Sequence, residues 1–273
     1  MSNPSEHYIL ATGGKDVKRL RLLHEVYGPG TEALFRRVGL RDGQRVVEIG
    51  CGSGNIACWV ARQVAPNGSV VAIDVAADQI EQARRQAQGL GLRNIEFQVA
   101  DAYSPRLPED SFDVVYCRYV LEHVRDPLRV LQEMRRVLKP GGKALAQENN
   151  IQMVAFDPDC PAFEAVWNQF AVLQDRLGGD ALIGKRLFGL FHRAGFLQIE
   201  LSYQPEIHPA NKPTFRPWIE NCITLLIGAT EILQTHHLAT QAEIHRAIAE
   251  LQSLLERDDA SALFHWNRAC GVK

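Results

Sequence analysis

VVEIGCGSGN, residues 46–55, constrains this chain more than any other stretch, because three glycines at alternate positions stand directly behind a run of β-branched apolar residues. A turn of that kind lets backbone approach a ligand closely, or adopt conformations closed to residues with a Cβ. Two nucleotide loops can be tested against it by position. A dinucleotide fingerprint needs Gly-x-Gly-x-x-Gly; counted from Gly50, the third glycine falls where Asn55 stands. A phosphate-cradling loop closes with Gly-Lys-Ser/Thr, and no lysine lies between Lys18 and Lys139. What remains is a glycine turn with an acid, Glu48, before it, so the expected ligand is not a phosphate.

Around that turn the hydrophobic period alternates. Arg45 to Ile49 reads as strand, Ile56 to Val64 as helix, Ser69 to Ile73 as strand ending in Asp74, Ala76 to Gly89 as helix, and Asn94 to Val99 as strand. Phe112 to Cys117 is a further strand. Asp126-Pro127 then supplies an N-cap with proline at the first helical position, opening a helix through Leu138, and Lys139-Pro140-Gly141-Gly142 breaks it before a strand at Lys143 to Gln147. Strands alternating with helices imply an α/β fold with a doubly wound, mostly parallel sheet. Residues 1–44 hold one amphipathic helix, Asp16 to Tyr27, and a second, Thr31 to Val38, expected to cap the sheet. The remainder, 45–273, is expected to be one domain. Its last strands are Leu197 to Tyr203 and Ala262 to Ala269, and helical insertions at about 149–195 and 205–258 are expected to form a lid.

Composition narrows the partners. In 273 residues the formal charge is -2, with basic residues dispersed in pairs such as Arg84-Arg85, so no nucleic-acid partner is indicated. Six cysteines without a C-x-x-C spacing read as reduced, buried thiols. The opening MSNPSEHYIL has no charged segment leading into an apolar one, and no stretch reaches the roughly 18 apolar residues of a membrane span. A cytoplasmic protein without a membrane partner is expected, as monomer or homodimer. His236, His237 and His245 lack H-E-x-x-H spacing, so no metal site is expected.

In an open parallel sheet, ligands lie across the carboxyl ends of the strands. Gly50, Gly52 and Gly54 follow the first strand. Asp74 ends the second, 24 residues after Gly50, placed to accept from two ribose hydroxyls. Asp101 follows the third, where a carboxylate can take a hydrogen from an adenine amine, with Ala102 leaving room for the ring.

With these features in register, residues 42–148 resemble the core of a class I S-adenosylmethionine-dependent methyltransferase, in the small-molecule (type 11/25-like) branch. VVEIGCGSGN, AIDVAADQIEQAR, VADAYSPRLPEDSFDVVYCRYVLEHV and LKPGG carry the resemblance, in the usual order and spacing. It implies a seven-stranded Rossmann-like fold with an antiparallel last strand, and S-adenosylmethionine as cofactor. It also implies that Glu48 and the glycine loop sit against the methionine moiety, Asp74 and Gln79 at the ribose, Asp101 and Ala102 at the adenine, and Cys117-Arg118 at the cofactor after strand four. Tyr8, followed by Lys18-Arg19-Leu20, resembles members whose N-terminal helix folds over the cofactor. An Asn/Asp-Pro-Pro-aromatic motif of base methylation is absent, since Cys117-Arg118-Tyr119-Val120 stands in its place; the expected substrate is a small, partly apolar metabolite.

YVLEHV, residues 119–124, is the wall nearest the transferable methyl in such enzymes, which makes His123 a candidate base, with Glu148 and His208 as the others. Two rivals are weighed. A nicotinamide oxidoreductase should carry Tyr-x-x-x-Lys, and none of the six tyrosines has a lysine four places on. A cofactor-binding module or cyclase on the same fold would share the whole motif set.

Overall fold

The computed structural model describes the backbone of residues 14–273 and side chains from Val26 onward. Tyr8, and the side chains of Lys18, Arg19 and Leu20, lie outside the described residues. Eight strands form one sheet: β1 (Arg45–Ile49), β2 (Ser69–Asp74), β3 (Ile95–Val99), β4 (Phe112–Arg118), β5 (Leu138–Glu148), β6 (Ala155–Asp157), β7 (Leu197–Pro209) and β8 (Ser261–Val272). Their order is β3-β2-β1-β4-β5-β8-β6, with β7 pairing β8. β1 to β5 run parallel, and β8 is antiparallel to β5, β6 and β7. Val46, Val47 and Ile49 of β1 and Val114 to Cys117 of β4 are buried. Such near-continuous apolar runs are what a strand covered on both faces requires.

The helices are α1 (Gly14–Arg37), α2 (Asn55–Gln63), α3 (Ala77–Gly89), α4 (Pro127–Val137), α5 (Pro161–Arg176), α6 (Leu187–Arg193), α7 (Phe215–Thr235) and α8 (Gln241–Leu254). Asp126 caps α4 as expected, its side chain accepting from the Arg129 N–H at 3.1 Å. Thr240 and Glu243 close a capping box on α8.

Five expectations are corrected. The two N-terminal helices are one helix, α1, with Pro29 inside it. Pro29 is exposed, whereas Val26 and Tyr27 before it and Leu34 and Phe35 after it are buried. Burying both halves on the same sheet offsets the one hydrogen bond that proline removes. The KPGG segment lies inside β5, which pairs at Phe112↔Leu138 and shifts register before Val114↔Lys143. The 149–195 segment is not wholly helical, because Ala155–Asp157 pairs with β8 as the additional strand. Nor is that segment all lid: Leu187, Leu190 and Phe191 of α6 pack with Val130, Leu131 and Met134 of α4 in the layer under the sheet. β7 runs on to Pro209, which shortens the second insertion at its start. What stands apart is the group α5, α7 and α8, whose core includes Phe163, Trp167, Trp218 and Leu226 and reaches back to Tyr27 and Trp266. All six cysteines are free and buried. Among the described residues no helix is long and apolar enough to cross a membrane, and no cluster of metal-ligating side chains occurs.

Candidate cofactor and active site

The glycine loop joins β1 to α2 at the carboxyl edge of the sheet, with Gly50, Gly52 and Gly54 at φ 71°, 51° and 80°. These left-handed values strain any residue with a Cβ. The three differ in their surroundings. A Cβ on Gly50 would overlap Val120 Cγ2, and one on Gly54 would meet Ala83 Cβ at 2.8 Å. A Cβ on Gly52 would meet nothing within 4 Å. Gly50 and Gly54 therefore lock the loop against the turn after β4 and against α3, while Gly52 faces open space.

Asp74 fastens this loop to the end of β2. Its Oδ2 accepts from Gly52 N at 2.8 Å and its Oδ1 from Ala76 N at 2.9 Å. Burial pushes its carboxyl above the ordinary aspartate value, against the pull of the Ala76, Gly52 and Val75 N–H groups. Each oxygen keeps a further lone pair for a ligand. Gln79, on the first turn of α3, is buried with Oε1 unpartnered. Asp101 is exposed and folds back on its own turn, accepting from Tyr103 N at 2.9 Å, with Ala102 half-buried beside it.

Glu48 is buried, and its Oε2 has no partner. Burial lifts its carboxyl to about 8, opposed by the Arg118 charge and the Ala57 backbone N–H. Arg118 closes β4, half-buried; its Nη1 donates to Thr31 Oγ1 at 3.2 Å, and its guanidinium lies 5.5 Å from the Tyr119 ring centroid. Tyr119 follows at φ 57°, a left-handed conformation costing about 1 to 3 kcal/mol that persists where surrounding structure over-determines it. Tyr27 of α1 and Trp266 of β8 hold its ring at centroid distances of 6.4 and 4.4 Å.

The three base candidates separate. His123 ends the short 3₁₀ turn Leu121–His123, beside the Val120 that covers Gly50, and its Nε2 lies 3.1 Å from Glu122 Oε1. Glu148 is fully buried, and its oxygens are already taken. Oε1 accepts from Val120 N at 3.2 Å and Leu121 N at 3.0 Å, and Oε2 from Glu122 N at 3.4 Å. Burial, reinforced by the Glu122 charge, raises its carboxyl above the glutamate range. It holds the turn that carries His123, and its side chain has no exposed surface to offer a substrate. His208 stacks on Trp218 with Nδ1 2.8 Å from Thr214 Oγ1, and burial drives it down to about 4. It pairs with Ala262, six residues along β8 from Arg268, or roughly 20 Å at strand rise. The fold does not bring His208 to the glycine loop.

Residues not singled out by the sequence complete the site from below. Thr31 Oγ1 lies 3.3 Å from Gln147 Oε1, which also accepts from Arg268 Nε at 3.1 Å; Arg268 Nη1 donates to Gln204 Oε1 at 3.0 Å. The available signal was a polar residue inside an apolar strand, Gln147 in KALAQ and Arg268 in FHWNRAC.

A family model described as a methyltransferase domain matches residues 40–178, about half the chain. This chain belongs to the methyltransferase family. The chain is 35% identical over 133 residues to the ubiquinone/menaquinone biosynthesis C-methyltransferase UbiE of Hahella chejuensis, covering 46% of this chain and 53% of that protein. It spans between 40% and 53% of the length of the first curated relatives it matches. Among solved structures, the YcgJ protein of Bacillus subtilis superposes with a TM-score of 0.61 over 92% of this chain and 98% of that one, at 20% identity. A Haemonchus contortus phosphoethanolamine N-methyltransferase 2, bound to phosphomonomethylethanolamine and S-adenosylhomocysteine, gives 0.57 over 92% of this chain and 56% of that one, at 19% identity. These two share the fold.

Proposed function

We propose that the protein transfers a methyl group from S-adenosylmethionine to a small metabolite. The observation that carries this is a buried, unpartnered carboxyl beside a guanidinium at the carboxyl end of the sheet: Glu48 Oε2 on β1 and Arg118 on the neighbouring β4, each feeling the other's charge. An amino acid zwitterion fits that pair, ammonium to Glu48 and carboxylate to Arg118, where a pyrophosphate would be repelled by Glu48. Open space over Gly52 and the preset Asp74 carboxylate suit a ribose. Asp101 and Ala102 border the adenine in this reading, with Gln79 Oε1 as a further acceptor. Support also comes from the UbiE relative and from the cofactor-bound structure of the same fold. A soluble, cytoplasmic enzyme acting on neither nucleic acid nor membrane, as monomer or homodimer, is part of the same proposal.

Bound S-adenosylmethionine supplies a methyl on a sulfonium, already a good leaving group. The chain's task is then positioning, with reacting atoms held in line about 3 to 3.5 Å apart. Val120 packs over the glycine loop, and Tyr119 beside it joins the core of the α5, α7 and α8 group; an acceptor held there is placed against apolar surface, where water exclusion strengthens fixed electrostatics. His123 is the group placed to take a proton from an acceptor that has one to lose, with Glu122 against its Nε2.

Glu48 makes the cofactor assignment testable. It is protonated in the free protein below about 8 and must ionise to receive an ammonium. Affinity for S-adenosylhomocysteine should therefore rise between pH 6 and 8, by up to about ten-fold per pH unit, as the proton lost on binding becomes cheaper to remove. Titration calorimetry on the native protein and Glu48→Gln, with NAD as control ligand, decides it. A flat native profile, or NAD bound in place of S-adenosylhomocysteine, would remove the proposal. For the base, His123→Ala should lower kcat by about 10² to 10⁴ with S-adenosylhomocysteine affinity retained; unchanged turnover would leave catalysis to positioning alone.

A further inference from the structure

Resting on the cofactor reading above, we propose that the methyl acceptor carries a carboxylate, and that Arg268 with the indole N–H of Trp266 forms the subsite that receives it. Arg118, Gln147 and Arg268 are direct cross-strand neighbours on β4, β5 and β8, joined through Thr31 and the Gln147 amide oxygen. The row places Arg268, 5% exposed, in the interior, with Arg118 half-buried at its other end. Neither has a carboxylate at ion-pairing distance among the described residues: Arg118 donates to Thr31, and Arg268 to Gln147 and Gln204. The carboxylates whose charge does reach them are Glu48 for Arg118 and Glu206 for Arg268, and burial lifts these to about 8 and about 7. An unpaired buried charge costs several kcal/mol. Two here await an anion.

The cofactor brings one carboxylate, and Arg118 beside the glycine loop is placed to take it. Arg268 lies two strands away, about 10 Å between backbones at ordinary strand spacing, and its guanidinium meets Arg118 only through Gln147 and Thr31, so a carboxylate held on Arg118 leaves Arg268 without an anion of its own. A second anion is required, and the acceptor is the remaining ligand. The unpartnered buried atoms around Arg268 agree on its chemistry. Arg268 Nη2 and Trp266 Nε1 are donors only, and neither has a partner. Native interiors leave few such groups unmet. A set of donors calls for a ligand end that only accepts, which excludes an ammonium and fits a carboxylate. The rings of Tyr27, Tyr119 and Trp266 adjoin these donors, so the carboxylate is joined to a flat apolar body. Helix α1 passes this point at Gly30, where a Cβ would stand 2.9 Å from Arg268 Nη2 and 2.8 Å from the Gln204 side chain. The glycine leaves the guanidinium its space.

Acids and primary amides of one skeleton differ in charge and hardly in shape, so they isolate this subsite. Benzoate, naphthoate and indoleacetate, each beside its amide, are titrated into protein saturated with S-adenosylhomocysteine. At least one acid should bind more tightly than its amide by on the order of ten-fold or more, the difference expected of a charge-assisted pair. Arg268→Gln should abolish the preference. Gly30→Ala, a change favourable to a helix, should weaken the acid by setting a methyl against Nη2. S-adenosylhomocysteine affinity should hold in both variants. Equal binding of acid and amide throughout the panel, failure of every acid to bind, or a preference that survives Arg268→Gln overturns the subsite. If Arg268→Gln does not fold, the native protein and Gly30→Ala decide. Failure to saturate with S-adenosylhomocysteine would instead overturn the cofactor reading.

Discussion

Asp74→Ala should lower affinity for S-adenosylhomocysteine by about 10² to 10⁴, with the sheet intact. The carboxylate is proposed to accept from two ribose hydroxyls, and a hydrogen bond to a charged acceptor contributes about 1.5 to 3 kcal/mol, so two together give about 3 to 6 kcal/mol. The structure adds a reason for the upper part of that range. Asp74 also holds Gly52 N at 2.8 Å and Ala76 N at 2.9 Å, so alanine loses the staple that fixes the loop as well as the ligand's partner. Asp74→Asn separates the two roles. It keeps one acceptor but turns an amide N–H toward a backbone N–H, and an intermediate loss is expected. Calorimetry of both variants, beside melting curves, measures the effect. Affinity within about threefold of native in an Asp74→Ala protein that melts normally would take Asp74 out of the cofactor site.

Glu148→Ala should be the most destabilising single change at the site, by about 3 to 9 kcal/mol, because it strands three N–H groups at a cost of about 1 to 3 kcal/mol each. Val120, Leu121 and Glu122 all donate to this one buried carboxyl, and no water reaches the position. Against a total stability of roughly 5 to 15 kcal/mol, that loss is a large part of the whole. Glu148→Gln should be milder, since an amide oxygen retains the Val120 and Leu121 bonds. It should also change the pH dependence. With its carboxyl raised by burial and by Glu122, Glu148 stays protonated in the fold where the unfolded chain has already ionised. The unfolded state then binds fewer protons, so native stability falls as pH rises above the ordinary glutamate value, and Glu148→Gln removes that share of the slope. Denaturant unfolding across pH checks both statements. A Glu148→Ala protein of native stability would mean that the turn is held otherwise.

The cofactor half of the site was legible in the chain because its chemistry is local. Gly50, Gly52 and Gly54 are needed where backbone takes φ of 51° to 80°, a demand that no neighbour's identity can relax. Asp74 and Asp101 follow strands whose period announces them, and the parallel topology carries every such end to one edge. Glu48 stood beside the loop in sequence and stands there in space. The division of labour among the glycines was not legible: only contact shows that Gly50 meets Val120, Gly54 meets Ala83, and Gly52 meets open space.

The proposed acceptor half depended on long-range pairing. Glu148, a candidate base when counted from strand five, is the anchor of the turn after strand four, because β4 and β5 are neighbours and the turn folds back over that carboxyl. His208 has the right residue type on a strand whose register carries it toward Ala262 and Trp218. Arg268 lies 150 residues from Arg118 in the chain and two strands from it in the sheet, a meeting made by the antiparallel return of β8 and invisible to any local period. Local sequence determined the conformation and placement of each strand end. The tertiary structure decided which buried charges meet, because burial and partner together set whether a carboxyl or guanidinium anchors the fold or waits for a ligand.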